Sequence, residues 1–288
     1  MSKTVILAAG GDLRQAYMCR ELAADHKVYS WGIAPGQGDT IALDTPDQLT
    51  EGAEVLILPI LSDDSLSVTA AGGTKLAFSK LIPCLDKGAL VLGGRLRENQ
   101  RKYFISQGLE CEDYFLNESL VLRNCIPTAE GTVQIAMEQT RKTIRSSKVL
   151  IVGYGRTARA CAALFRAVGA DCTAAARRSS ARAAAWTDGI KAISITDIRE
   201  SIPNFDIVIN TVPAMILDAS VLRAAAPDSL VIDIASKPGG TDFGAAENLG
   251  INAVHALALP SKTAPATAGE IIACTVRDIL QERRKQNV

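Results

Sequence analysis

Short apolar runs alternate along this chain with longer stretches in which apolar residues recur every three or four positions. In the first part, the runs predict strands at Thr4 to Ala9, Lys27 to Trp31, Val55 to Pro59 and Leu90 to Gly93; the spaced stretches predict helices at Leu13 to Asp25 and Asn99 to Gln107. Such alternation makes a parallel sheet with crossover helices, because a parallel neighbour is reached only by a long return connection. Ala34 to Thr50, rich in Gly, Pro, Asp and Thr, predicts an irregular surface connection. Pro127-Thr128-Ala129-Glu130-Gly131 predicts the start of a helix running to about Arg145, with Ile135, Met137 and Ile144 as its apolar positions. A second series of strands follows at Lys148 to Val152, after Gly169, and at Asp206 to Thr211, Ser229 to Ala235 and Ile251 to Ala256. The closing helix is expected from Ala266 to about Arg284, its basic end Arg283-Arg284-Lys285 suiting the helix dipole.

The expected fold class is therefore α/β: two doubly wound parallel-sheet domains joined by a long helix. Residues 1–127 are expected to form a flavodoxin-like or Rossmann-like N-terminal substrate domain, 128–146 the interdomain helix, and 147–264 a Rossmann NAD(P)-binding domain. Residues 265–288 form a C-terminal helix, which can pack back on the first domain. Self-similarity at solenoid periods is not seen.

The richest stretch is KVLIVGYGRTARACAALFRAVGADCTAAARRS, Lys148 to Ser179. A β-branched strand runs into Gly153 and Gly155, which permit a tight turn and close approach of backbone to a pyrophosphate, while Ala158 keeps the helix near the strand. The helix start then offers its N–H groups to phosphate. Tyr154, Arg156 and Thr157 flank the turn. Where an acid would hold the ribose 2′-hydroxyl of NAD stands Ala176, followed by Arg177, Arg178 and Ser179. Two guanidiniums without an acid suit the extra phosphate of NADP, the expected cofactor.

Composition narrows the partners. Lys+Arg and Asp+Glu balance at 31 each, which offers no basic face for nucleic acid or anionic membrane. The opening MSKTVILAAGG has too short an apolar run for a signal peptide, and nothing approaches a membrane span, so the expected location is cytoplasmic. The seven cysteines (Cys19, Cys84, Cys111, Cys125, Cys161, Cys172 and Cys274) stand singly, and only His26 and His255 supply imidazole, so no disulfide framework or metal site is expected.

In parallel sheets, ligands lie beyond the carboxyl ends of the strands. After one strand, Asn210-Thr211-Val212-Pro213 can line a nicotinamide pocket or simply form a capped turn; after the next, Ala235 and Lys237 of DIASKPGG can face the cofactor. Past the last strand come His255 and Lys262. Lys262, read as lying in a Pro-bounded loop, is the better candidate for carboxylate anchor or acid/base, with His255 behind it. In the first domain, Gly10-Gly11-Asp12 with Arg14 and Gly93-Gly94-Arg95 place arginines at strand ends, where together they favour an anionic substrate.

The strings PTAEGTVQIAME from Pro127, VIDIASKPGGTDFGAAENLGINAVHALALPSKTAPATAG from Val231 and ILAAGGDLRQ from Ile6 resemble the A-subunit family of dipicolinate synthase along nearly the whole chain. Ser261 departs from the glycine expected in the Leu-Pro-x-Lys turn. The resemblance implies NADP-dependent oxidation of a dihydrodipicolinate-type lysine-pathway intermediate to pyridine-2,6-dicarboxylate during sporulation, in the mother-cell cytoplasm. It also implies, as partner, the flavoprotein-like B subunit of dipicolinate synthase. A homo-oligomer is expected as well. Without the resemblance, the architecture serves equally a 2-hydroxy acid or amino acid dehydrogenase, or a non-catalytic NADP-binding regulatory protein.

Overall fold

The computed structural model describes residues 3–34 and 40–286. It comprises two compact units, Met1–Asn124 with Ala264–Val288, and Cys125–Thr263.

The first unit contains β1 (Val5–Ala9), α1 (Leu13–Leu22), β2 (Lys27–Trp31), β3 (Ile41–Leu43), β4 (Ala53–Ile60), the hairpin strands β5 (Ser67–Thr69) and β6 (Lys75–Ala77), β7 (Leu85–Gly94), α2 (Glu98–Ser106) and β8 (Glu110–Asp113). Its main sheet has the order β3-β2-β1-β4-β7-β8 and is parallel throughout. The period-two alternation of the strands sorts the core. Ile6, Ala8, Val55 and Ile57 pack on one face with Met18 and Leu22 of α1, whereas Leu7, Ala9, Leu56 and Leu58 pack on the other with Phe78 and Phe104.

Two long helices flank the second series of elements: α3 (Glu118–Gln139), shared between the units, and α10 (Pro265–Gln286) in the first. Between them the second unit runs through β9 (Lys148–Val152), α4 (Arg156–Ala167), β10 (Asp171–Ala176), α5 (Ser179–Thr187), β11 (Lys191–Ser194), α6 (Ile198–Ser201), β12 (Ile207–Asn210), α7 (Ala219–Leu222), β13 (Leu230–Asp233), α8 (Phe243–Asn248), β14 (Asn252–His255) and α9 (Leu259–Thr263). The sheet order is β11-β10-β9-β12-β13-β14, again all parallel. Val149 and Ile151 face one layer with Phe165 of α4, and Leu150 and Val152 face the other with Ile198 and Leu222.

Helix α10 lies against α1 so closely that a Cβ at Gly269 would stand 2.5 Å from the Arg14 carbonyl oxygen. Ile272, Val276 and Ile279 join the core there, and Arg277 reaches Asp25 at 3.1 Å.

Several expectations are corrected. Pro127 does not open a helix; α3 starts nine residues earlier, where the Asn117 side chain accepts the Leu120 N–H at 3.2 Å, and it carries Pro127 in its interior. Proline inside a helix costs about 3 kcal/mol, which burial of Leu120, Ala129, Val133 and Ala136 offsets. The helix ends at Gln139 rather than near Arg145. Ser146 has φ +67 and Ser147 Oγ donates to the Thr143 carbonyl at 2.6 Å, so a turn feeds β9. Within the stretch predicted as irregular, Ile41–Leu43 is an edge strand; Pro35 to Asp39 lie outside the described residues.

Candidate functional site

Each main sheet reverses its strand order beside its first strand, between β1 and β4 and between β9 and β12. Crevices at such reversals take ligands in open parallel sheets.

In the second unit the turn after β9 is shaped by necessity. Gly153 has φ +92, and a Cβ there would fall 2.5 Å from Thr211 Oγ1 and 2.8 Å from Val212 Cγ2. Thr211 is itself pinned, its hydroxyl donating to the Val152 carbonyl at 2.8 Å. Gly155 differs in kind: it is the N-cap of α4, no side chain caps the helix there, and a Cβ would meet nothing within 4 Å. The start of a twelve-residue helix thus faces open space, while Ala158, 1% exposed, packs the first turn inward. These groups fit a pyrophosphate. Thr157 Oγ1 lies 3.5 Å from Cys125 Sγ. Arg156 opens α4 and is exposed. Tyr154 is buried. Its hydroxyl donates to Asp188 Oδ2 at 2.8 Å, beside Arg159 at 2.9 Å, and these partners hold Asp188 below the usual carboxylate range.

β10 ends at buried Ala176, and exposed Arg177, Arg178 and Ser179 follow. Arg178 is the N-cap of α5 and makes no side-chain cap bond. Pattern reading missed Arg182, one turn further on, whose Nη1 donates to the carbonyls of Ala176 and Arg177, both at 2.9 Å. Its spacing of four from Arg178 was the available signal. No carboxylate stands between Ala174 and Ala185.

The loops after β12 and β13 are organised by two fully buried polar side chains, Asn210 and Asp233. Asn210 accepts the Val212 N–H at 3.1 Å and donates to the Val212 carbonyl at 3.0 Å, which sets the bend into exposed Pro213. Asp233 accepts N–H bonds from Ala235 at 3.0 Å and Gly240 at 2.9 Å, closing the loop that carries exposed Lys237. His255 stacks on Phe243 at 5.0 Å, and its buried Nε2 has no hydrogen-bond partner. A Cβ at Gly239 would be 3.3 Å from Asp233 Oδ2 and 3.5 Å from His255 Nε2, so carboxylate and imidazole share one small space. Lys262 is not in a loop, contrary to expectation: it sits on α9 without an ion pair among the described residues. The left-handed residue of that turn is Ala258, with φ +57, so Ser261 needs no glycine conformation; its hydroxyl bonds the Ala258 carbonyl at 2.9 Å.

In the first unit a cavity of about 410 Å³ opens at the carboxyl ends of β1 and β4, lined by Gly11, Asp12, Arg14, Ser62, Ser65 and Thr69 among others. Arg14 is gripped by Asp12 through Nε–Oδ1 at 2.9 Å and Nη2–Oδ2 at 2.7 Å. Burial pushes the Asp12 carboxyl up, but the hydrogen bond and charge of Arg14 outweigh it and hold the group below its ordinary value. Arg95 does not join Arg14 in lining this cavity. Asp113 accepts the N–H groups of Arg95 at 3.0 Å and Leu96 at 3.1 Å, which draws that loop toward β8, and the Arg95 guanidinium lies 5.0 Å from the Phe115 ring.

Among the described residues no cluster suits a metal ion and no helix is long and apolar enough to cross a membrane. Cys19, Cys161 and Cys172 are pushed up to about 12 by burial, so they remain thiols at neutral pH.

Comparison with known proteins agrees with this geometry. Residues 5–115 match the family of the N-terminal domain of the dipicolinate synthase A subunit, and residues 134–252 match Shikimate / quinate 5-dehydrogenase. The dipicolinate synthase A subunit of Bacillus subtilis (strain 168) is 40% identical over 168 residues, an alignment spanning 58% of this chain and 57% of that protein. The crystal structure of the A subunit from Bacillus halodurans superposes with a TM-score of 0.86 at 29% identity, covering 97% of this chain and 98% of the other. The crystal structure of the Bacillus subtilis protein gives 0.86 at 29% identity, covering 99% and 98%. A transhydrogenase from Sinorhizobium meliloti shares the fold, with a TM-score of 0.72 at 16% identity over 97% and 94%. Matched in its N-terminal domain, over part of its sequence and in its overall structure, the chain is similar to the A subunits of dipicolinate synthase.

Proposed function

We propose that this chain is an NADP-dependent oxidoreductase that converts a dihydrodipicolinate-type intermediate to pyridine-2,6-dicarboxylate, working as a homo-oligomer together with a B subunit. The observation that carries the reading is the β9–α4 turn: an uncapped helix start behind a glycine with open space above it, next to a strand end that bears arginines and no acid. The likeness to dipicolinate synthase A subunits supports the substrate class.

Gly153, Gly155 and the first turn of α4 hold the pyrophosphate, and Arg177 and Arg178 with Ser179 hold the 2′-phosphate. When bound, the nicotinamide supplies the hydride acceptor. Thr211, Val212 and Pro213, with Ala235 and Lys237, line its ring. Asp233 does not touch the ligand in this scheme; it holds the Ala235 to Gly240 loop in shape. Oxidation of the dihydropyridine ring removes two electrons and a proton as hydride from one carbon and a second proton from the ring. Lys262 Nζ takes that proton or anchors a substrate carboxylate, with His255 Nε2 as the second candidate base. In the first unit's cavity, Arg14, oriented by Asp12, keeps one guanidinium nitrogen for a carboxylate.

A substrate panel tests this reading. Purified chain with NADP+ should reduce the cofactor when supplied with enzymatically generated dihydrodipicolinate and not with 2-hydroxy acids or amino acids. Turnover of the latter alone refutes the substrate assignment. Lys262→Ala should lower turnover by about 10²-fold or more; full turnover at unchanged KM removes Lys262 from the chemistry.

A further inference from the structure

The cavity at the carboxyl ends of β1 and β4 lies wholly within the first unit, and its polar lining falls into two parts of opposite hydrogen-bonding character. Arg14 supplies the first. It spends Nε and Nη2 on Asp12, while Nη1 has no protein partner among the described residues and can only donate. The second part is Asp63 to Ser67, where bonding within the segment decides what is left for a ligand. Asp63 Oδ1 accepts the Ser65 N–H at 2.9 Å and the Ser65 hydroxyl at 2.6 Å, and that hydroxyl bond holds Asp63 below the usual carboxylate range. An ionised carboxylate only accepts, so the single Ser65 hydroxyl proton is spent on it. Ser67 Oγ lies 2.9 Å from Ser65 Oγ, and with the Ser65 proton committed, Ser67 is the donor of that bond. Both hydroxyl protons are therefore consumed inside the segment. What remains there for a ligand is lone pairs, on Ser67 Oγ and on Asp63 Oδ2.

The segment is held in place from α2. Fully buried Gln100 donates Nε2 to the carbonyls of Asp63 at 3.1 Å and Ser65 at 2.8 Å, and Asn99 Nδ2 donates to the Asp64 carbonyl at 2.7 Å. Acceptors fixed before a ligand arrives cost little to order on binding. Ser62 and Thr69 also line the cavity, and their hydroxyls rotate to serve either way. A carboxylate on Arg14 thus has fixed acceptors along Asp63 to Ser67, which repel a second carboxylate and match a donor. A site built to hydrogen-bond one group rejects the analogue that lacks it. We infer that this cavity selects a carboxylate whose ring also carries a hydrogen-bond donor, an N–H, ammonium or hydroxyl, over the fully aromatic pyridine dicarboxylate. The inference rests on the dicarboxylate substrate proposed above and gives it a direction. Aromatisation removes the donor, and the product leaves because Asp63 and Ser67 no longer have a partner.

Calorimetric titration of the full chain without cofactor tests this with three probes: cis-piperidine-2,6-dicarboxylate, whose ring nitrogen is a secondary ammonium, its carbocyclic analogue with a methylene in place of the nitrogen, and pyridine-2,6-dicarboxylate. The piperidine should bind about tenfold or more tightly than the other two, and Arg14→Ala should weaken it. Ser65→Ala makes the sharper prediction. It frees the Ser67 proton to donate, so pyridine-2,6-dicarboxylate should gain about threefold or more in affinity and the gap should narrow. Asp63→Asn should narrow it from the other side, by weakening the piperidine alone. Circular dichroism melts check that each variant folds. Equal or tighter binding of the pyridine by the parent, or a full gap retained in folded Ser65→Ala or Asp63→Asn, overturns the inference and leaves the proposed oxidation standing. Binding of none of the three, or binding indifferent to Arg14→Ala, overturns both this inference and the carboxylate role of Arg14.

Discussion

Removing both exposed guanidiniums at the end of β10, by Arg177→Ala with Arg178→Ala, separates the two nicotinamide cofactors most sharply. The arginines follow buried Ala176, and no carboxylate is near in sequence to repel a phosphate or to hold a ribose hydroxyl. A hydrogen bond to a charged group is worth about 1.5–3 kcal/mol when desolvated. Both side chains are exposed, so solvent screening reduces each to about 0.5–1 kcal/mol. The pair then contributes about 1–2 kcal/mol, or roughly 5–30-fold in Kd. Fluorescence titration of parent and double variant with NADPH and NADH reads this directly. NADPH affinity should fall by that factor and become less sensitive to salt, while NADH affinity should stay nearly constant. Arg182→Ala is the control, because that guanidinium is committed to the carbonyls of Ala176 and Arg177. Equal affinity of the parent for both cofactors, or an equal loss for both in the double variant, would refute the reasoning.

Gly155→Val should leave the melting temperature nearly unchanged, since a Cβ there meets nothing within 4 Å, yet weaken binding of either cofactor about tenfold or more by filling the space before α4. Gly153→Ala should instead destabilise the fold by about 1–3 kcal/mol, read by denaturant melts, because its φ of +92 and the Thr211 hydroxyl at 2.5 Å exclude a methyl. Asp233→Asn should cost about 1–3 kcal/mol, since an amide cannot accept both the Ala235 and Gly240 N–H groups equally well; its melting temperature should drop while Lys262→Ala keeps the parent value. Asp12 has a lowered pKa in the fold, so it binds protons less readily there than when unfolded, and its stabilisation is present above the ordinary carboxylate range and lost as pH falls through the folded value. The stability gap between parent and Asp12→Asn should therefore be full at neutral pH and close below about pH 4, which urea melts across acid pH would show.

What was legible in the sequence follows from how each signal arises. Central strands such as Val149 to Val152 are buried on both faces, so they read as continuous apolar runs, and the glycine turn follows from spacing alone. Edge strands β3 and β11 leave their side chains partly or fully exposed, so no apolar run marks them. The hairpin of β5 and β6 is too short to show a period. Pro127 misleads because local preference puts proline at a helix start, whereas here burial along α3 overrides it. At the site, backbone requirements were visible and pairings were not. Nothing in the residue order distinguishes Asp233, which ties a loop, from any solvated aspartate, nor tells that Asp12 occupies Arg14 while Asp113 draws the Arg95 loop aside.

Whether this chain itself performs the NADP-linked oxidation is tested most directly by product stoichiometry with the purified chain alone. Given enzymatically generated dihydrodipicolinate and NADP+, one NADPH should form for each pyridine-2,6-dicarboxylate. A chain that binds NADPH but forms neither product until a B subunit is added would contradict that claim and place the chemistry elsewhere.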